Sequence, residues 1–295
     1  VNVYEIVTDK MVAALEAGAV PWQVPWQGGA GWAPRNLVSG KRYTGVNPFL
    51  LSLSGFGSPY WLTFKQAKML DGSVRKGEKS SIVVFFKMMD GVDKASGEAR
   101  KIPILRFYRV FNLDQCDGVR VPAGRDLPET IVNDVHPLAA GEAIVSGYRN
   151  APTVVEGEPQ AFYRPGTDVI NMPPRVSFNS SEEWYSTLFH EMGHSTAHAS
   201  RLNRTESIGN GFGSHAYGRE ELIAEMTSAY LCAEAGIVAP FDNSAAYIAS
   251  WLKTIKSDTR AVVVAAGKAS KAADHILGRV AAPVVESPTR ELVAV

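Results

Sequence analysis

His190-Glu191-Met192-Gly193-His194 spells H-E-x-x-H, which on a helix puts both imidazoles on one face, one turn apart. Two histidines so placed can share one metal ion, and Glu191 beside the first is positioned to take a proton from water. The flanking residues predict the helix. Asn179-Ser180-Ser181-Glu182-Glu183 offers a Ser180-x-x-Glu183 capping box, and Trp184, Leu188, Met192 and Thr196 recur at helical spacing to give a buried face. Upstream, residues 161–164 and 169–172 read as a hairpin about a Pro165-Gly166-Thr167-Asp168 turn, stopped by Pro173-Pro174. Such a hairpin is expected to offer an edge strand beside which an extended peptide can lie. Without a metal, the motif reduces to two surface histidines next to a solvated glutamate.

A catalytic zinc takes three protein ligands and keeps a position open, so a third ligand must come from elsewhere. Residues 219–231 predict a second helix with Leu222, Met226 and Ala229 as an apolar stripe, ending near Gly236. Glu221 and Glu225 lie four apart on one face of it. In most glutamate-type zincins the third ligand begins an E-x-x-x-[D/E/N] pattern whose second acid steadies a ligand histidine. That favours Glu221 as ligand and Glu225 as support. The sequence leaves the opposite assignment open, and also a pairing of either acid with Arg219 or Arg201. Glu220 reads as a solvated face residue. His198, one turn past His194, reads as a helix-end histidine favoured by the helix dipole. His215 falls in the glycine-rich loop 209–218, which is either a plain surface loop or a lid whose Tyr217 or His215 donates to an oxyanion.

With 295 residues, 45% of them hydrophobic and 20% charged, the chain has material for one large or two ordinary folded domains. Its longest apolar runs, such as 82–86 and 261–266, are far too short to span a bilayer, and the N-terminus lacks a basic-then-apolar signal pattern. A cytoplasmic location without membrane contact is therefore expected. Cys116 and Cys232 fall in no metal-binding spacing, which suits a reducing compartment. Net charge is zero, yet residues 1–115 carry 15 Lys and Arg against 9 Asp and Glu, a surplus of six positive charges that the remainder reverses. Four of the six tryptophans (Trp22, Trp26, Trp32 and Trp61) stand in that basic half, with Tyr43 nearby and Arg42, Lys65, Lys76 and Arg109 among the interleaved cations. Aromatic faces that stack bases and cations that follow phosphates are what binding of single-stranded nucleic acid requires. Trp22, Trp26 and Tyr43 are the stacking candidates; the competing reading makes these aromatics core and the cations a solvated face.

The pattern along the chain divides it into two α+β domains. Residues 4–18 read as a short amphipathic helix closed by Gly18, and 46–53 and 63–70 as helices. Segments 81–88 and 102–111 read as a hairpin across the polar stretch 91–101. Residues 114–129, with Asp, Gly and Pro and little periodicity, read as a linker; 243–256 and 259–280 predict helices, and 281–295 a frayed tail. The expected boundaries are 1–115, a linker 116–129, 130–280 and the tail.

Pro21-Trp22, Pro25-Trp26, Asn36, Tyr43-Thr44-Gly45-Val46-Asn47, Trp61-Leu62-Thr63-Phe64-Lys65-Gln66-Ala67, Val74-Arg75-Lys76-Gly77-Glu78-Lys79 and Phe107-Tyr108-Arg109-Val110-Phe111-Asn112 follow in an order that resembles the N-terminal domain of ArdC antirestriction proteins, also found on plasmid-encoded TraC-type primases. The H-E-M-G-H helix and the Glu220-Glu221-Leu222-Ile223-Ala224-Glu225 helix resemble the zincin-like metallopeptidase domain fused behind it. The resemblance covers nearly the whole chain. It implies an N-terminal single-stranded-DNA-binding domain, a C-terminal gluzincin-type domain that takes Zn²⁺ or another divalent ion such as Mn²⁺, and protection of incoming DNA from host restriction. Glu191 is then the catalytic residue, and an unidentified protein the substrate. A non-enzymatic DNA-coating protein with a structural or vestigial metal site is the alternative.

Overall fold

The computed structural model describes residues 2–23, 26, 32–92, 99–125, 137–205, 215–238 and 245–279. In chain order the elements are α1 (Val3–Glu16), β1 (Arg35–Asn36), α2 (Asn47–Ser52), β2 (Tyr60–Leu62), α3 (Phe64–Met69), β3 (Ser73–Val74), β4 (Ser81–Val92), β5 (Ala99–Asn112), β6 (Cys116–Asp117) and α4 (Pro137–Gly147). There follow β7 (Thr153–Glu156), β8 (Phe162–Arg164), β9 (Val169–Met172), α5 (Ser181–Ser195), α6 (His215–Ala235), α7 (Ala245–Ser257) and α8 (Ala261–Ile276). The class is α+β. Among the described residues the strands form a four-stranded sheet ordered β1-β2-β5-β4, a β3-β6 pair and a three-stranded sheet ordered β7-β9-β8. The tail 281–295, the loop part 209–214 and the side chains of His215 and Tyr217 lie outside the described residues.

Local chemistry explains most element ends. Asn2 caps α1 by accepting from the Tyr4 amide at 3.0 Å, and Gly18, at φ 80°, takes the left-handed conformation that closes it. Val7, Met11 and Leu15 recur at helical spacing and are buried. Thr63 and Gln66 form a reciprocal capping box on α3. Ser180 caps α5 by accepting from the Glu183 amide at 3.1 Å, but Glu183 reaches one residue further back than the expected box and accepts from the Asn179 amide at 2.9 Å.

Several expectations need correction. The first hairpin is longer than its hydrophobic segments suggested, with antiparallel register from Ser81↔Val110 out to Val92↔Ala99. Its outer pairs include Asp90↔Lys101 and Gly91↔Arg100, which apolar patterning does not reveal. The stretch after Asp114 does not leave as a linker: Cys116 pairs with Val74, the Arg120 amide donates to the Leu70 carbonyl at 2.8 Å, and Asp114 accepts from the Gly57 and Ser58 amides. Its Asp, Gly and Pro content marks turns packed on the N-terminal half. The later hairpin gains a third strand, β7, parallel to β9, so β9 is central and β8 and β7 are the edges. Thr153–Glu156 is too short and too exposed to show periodicity.

The two halves share one core. Val7, Met11, Leu15, Trp22, Phe49 and Val84 pack in the same buried cluster as Trp184, Leu188, Met226, Trp251 and Ile276. Trp22 meets Trp251 edge to face at 5.2 Å. On the C-terminal side, the fully buried Arg201 ties the hairpin turn to the motif helix: it donates to the Ser195 carbonyl at 2.7 Å and the Asn150 carbonyl at 2.9 Å, and pairs with Asp168. Hydrogen bonding to Arg201 holds the Asp168 carboxyl below the usual carboxylate range. Arg201 is therefore not a partner of Glu221 or Glu225, and Arg219 faces Asp258.

The contact that positions the site is between α5 and α6. A Cβ on Gly193 would lie 3.1 Å from the Ala224 Cα and 3.2 Å from the Thr227 Cβ, so a methyl there would force α6 to give by a few tenths of an ångström. The Ser228 hydroxyl donates across the same interface to the Ser186 carbonyl at 2.8 Å. In Gly193→Ala, overpacking costs about 1–3 kcal/mol, offset in part by the roughly 1 kcal/mol by which alanine exceeds glycine in helix propensity. A net loss of stability on urea denaturation is the expected outcome; a gain of the full propensity difference would show that the crossing is not tight.

Candidate metal centre

Ser180-capped α5 places His190 and His194 on one face, and the close α6 crossing brings Glu221 to them. His190 Nε2 and His194 Nε2 are 3.1 Å apart, Glu221 Oε2 lies 3.5 Å from the first and Glu221 Oε1 3.4 Å from the second. Ligand atoms around a tetrahedral zinc with bonds of about 2.0–2.1 Å stand ~3.3 Å apart. The three donors are thus spaced for one ion, and imidazole with carboxylate suits zinc or manganese. Among the described residues this is the group of His, Cys, Asp and Glu side chains that could hold a metal. His198 stands outside it, in the turn beyond the helix, with Nδ1 2.8 Å from the Ser200 hydroxyl.

The outer nitrogens of both imidazoles also face carboxylates. His190 Nδ1 lies 3.6 Å from Glu225 Oε1, and His194 Nδ1 lies 3.9 Å from Glu220 Oε1. Glu221 therefore faces the inner nitrogens while Glu225 stands behind His190. Glu220, expected on a solvated face, is buried at 3% exposure and is held by Arg204 at 2.8 Å. Arg204 also donates to the Thr196 hydroxyl at 2.9 Å and the Gly193 carbonyl at 3.3 Å, joining Glu220 to the end of the motif helix. Periodicity does not show this. The available signal was chemical: two histidines spaced to share an ion call for two outer partners, and acids at 220, 221 and 225 are enough for one donor facing the inner nitrogens and two behind the rings.

Burial alone lowers the affinity of both imidazoles for a proton, but the neighbouring carboxylates outweigh it: His190 is raised, and His194, beside Glu220 and Glu221, is raised to about 10. Burial likewise pushes the Glu221 carboxyl up, and hydrogen bonding to the two imidazoles overcomes this and holds it well below the usual range. The cluster is built to carry positive charge. Glu191, on the same helix, is 7% exposed.

The residues expected to touch DNA are placed less uniformly. Trp22 is fully buried against Trp251, which closes its ring faces to a base. Tyr43 is buried with Leu51, Trp61, Val83 and Val110, and burial pushes its phenol up to about 12. Trp26 is partly buried, tilted against Tyr230 at 5.9 Å. Trp22 and Tyr43 thus went to the core, where their area contributes most. Lys65, Lys76 and Arg109 are exposed; Arg42 is exposed and pairs with Glu234 on α6 at 2.8 Å.

The Glu220 arrangement generates a prediction. Replacing it with Gln keeps its size but removes the charge that orients His194, so zinc affinity measured by competition with a chelating dye should fall roughly 10- to 100-fold. An unchanged affinity in a folded Glu220→Gln variant would reduce Glu220 to a structural partner of Arg204.

Residues 1–111 match the family described as the N-terminal domain of anti-restriction factor ArdC, and residues 142–268 match the family described as zincin-like metallopeptidase. The metal-free crystal structure of the antirestriction ArdC protein from the R388 plasmid is 40% identical, with a TM-score of 0.74 over 94% of this chain and 97% of that one. Its Mn(II)-bound structure gives 38% and 0.74 over 94% and 98%. An uncharacterized protein of Sinorhizobium fredii, y4eC, is 38% identical over 92% of this chain and 91% of its own length. Two Escherichia coli proteins called DNA primase TraC are 36% and 34% identical over 93% and 98% of this chain, which spans 20% and 28% of their lengths. With a zincin-like metallopeptidase domain behind an ArdC N-terminal domain, and a solved ArdC matched over nearly its whole length, the chain belongs to the ArdC antirestriction family.

Proposed function

We propose that this chain is an antirestriction protein that holds single-stranded DNA with its N-terminal half and cleaves a peptide bond at a single divalent ion, zinc or manganese, in its C-terminal half. The observation that carries the peptidase part is the 3.1–3.5 Å spacing of the His190, His194 and Glu221 donors beside Glu191. The Mn(II)-bound structure of the R388 relative supports a divalent ion. His190, His194 and Glu221 would hold it, with Glu225 and Glu220 orienting the two imidazoles. Bound there, the ion supplies Lewis acidity, which makes water a better proton donor and polarises the carbonyl under attack. Glu191 accepts the proton of the attacking water and delivers it to the amine nitrogen as the C–N bond breaks. Edge strand β8 packs against α5, and an extended peptide would add beside it.

The basic charge of the first half and the family of its N-terminal domain support the DNA part. Among the described residues no helix is long and apolar enough to cross a membrane. Because restriction acts on DNA that has entered the cell, the antirestriction reading itself puts the activity in the cytoplasm.

Glu191→Gln separates catalysis from DNA coating, because it removes the proton acceptor and leaves the metal donors in place. In a DNA-transfer assay into a restricting host, this variant should lose protection while elemental analysis still finds about one ion per chain. Full protection by a metal-loaded Glu191→Gln protein would contradict the peptidase reading and favour coating alone.

A further inference from the structure

The β4–β5 ribbon leaves the core with Phe85, Phe86 and Tyr108 exposed, while Phe107 packs against the core. Residues directly opposite in an antiparallel pair share a face. Val83↔Tyr108 and Phe85↔Arg106 therefore put Phe85, Arg106 and Tyr108 on one face, beyond the buried Val83 and Val110. Phe86, opposite Leu105, and Arg109, opposite Ile82, lie on the other. Phe85, Phe86 and Tyr108 are 43%, 54% and 38% exposed, and the Phe85 and Tyr108 rings meet edge to face at 5.2 Å. Arg106 and Arg109 are exposed and make no ion pair with the described residues.

Three solvated rings on a two-stranded ribbon are a liability unless they have a ligand. The ligand must offer flat apolar faces together with negative charge, because unpaired guanidiniums alternate with the rings. Unpaired nucleobases joined by phosphates meet both demands, whereas a duplex hides its base faces. The two-residue repeat along β5 also sets Arg106 and Tyr108 about 6.8 Å apart, so ring and cation alternate along an extended strand. We propose that the ribbon binds single-stranded DNA on both of its faces, with Phe85, Tyr108 and Arg106 on one and Phe86 and Arg109 on the other, the rings stacking on bases and the guanidiniums taking phosphates. This placement rests on the DNA-binding reading above and moves the stacking role from the buried Trp22 and Tyr43 to the ribbon.

The test is fluorescence anisotropy of a labelled oligothymidylate with the full chain across a salt series. Phe85→Leu with Tyr108→Leu keeps the apolar volume and removes the rings. It should weaken binding roughly 5- to 100-fold with little change in salt slope. Arg106→Gln with Arg109→Gln should flatten the slope by about 1.4, the share of two single-strand phosphates. If the wild type binds and both double variants bind equally well, the ribbon assignment is overturned and the DNA-binding reading stands. If the wild type does not bind, both fall. If the ring variant fails to fold by circular dichroism, photocrosslinking of a 5-iodouracil oligonucleotide to the wild type decides. Adducts at residues 85–86 and 106–109 support the surface, and adducts confined elsewhere refute it.

Discussion

The missing Cβ of Gly193 is the constraint on which the candidate metal centre depends. In sequence it lies between His190 and His194, and the space it leaves is filled by the Ala224 backbone and Thr227 of α6. One turn back along α6 stand Glu220 and Glu221; one residue past Ala224 stands Glu225. An α5–α6 separation wider by a side chain would take all three carboxylates out of reach of the imidazoles. Leu188, Met192, Met226 and Ala229 of the two helices are buried in one cluster. Packing and chemistry are therefore set by the same crossing.

Electrostatics completes what packing begins. Four carboxylates, Glu191, Glu220, Glu221 and Glu225, gather about two imidazoles and the Arg204 guanidinium, a concentration of negative charge that a partly buried site holds only with cations in its centre. Without a metal the imidazoles take that role, which is why His194 is raised to about 10. A divalent ion held there would replace those protons, and the outer carboxylates would fix which ring nitrogen faces it.

Much of this was legible in the residues. The motif helix, its Ser180 start and its buried face followed from spacing, as did the helix bearing Glu221, because short-range periodicity and capping are local properties. What escaped depended on tertiary partners. Glu220 next to Arg219 looks like a solvated face residue, yet Arg204, sixteen residues earlier, holds it in a buried pair. Trp22, Trp26 and Tyr43 look like stacking residues by type, but composition does not distinguish a ring in the core from a ring on a surface. Phe85, Phe86 and Tyr108 sit in strands that alternate no differently from core strands, and only the extent of cover shows that they are bare. The short strand β7 and the packed 116–125 segment carried no periodic signal.

The halves are fused by more than sequence: α1 and Trp22 pack into the helical core, and Arg42 reaches Glu234 near the end of the helix that carries Glu221. The central claim nevertheless concerns one point in space, between His190, His194 and Glu221. Anomalous scattering from crystals grown with zinc, recorded on either side of the zinc absorption edge, tests it most directly. The account predicts a single strong peak about 2 Å from His190 Nε2, His194 Nε2 and a Glu221 carboxylate oxygen. A peak coordinated by Glu225 in place of Glu221, or none at this position, would contradict it.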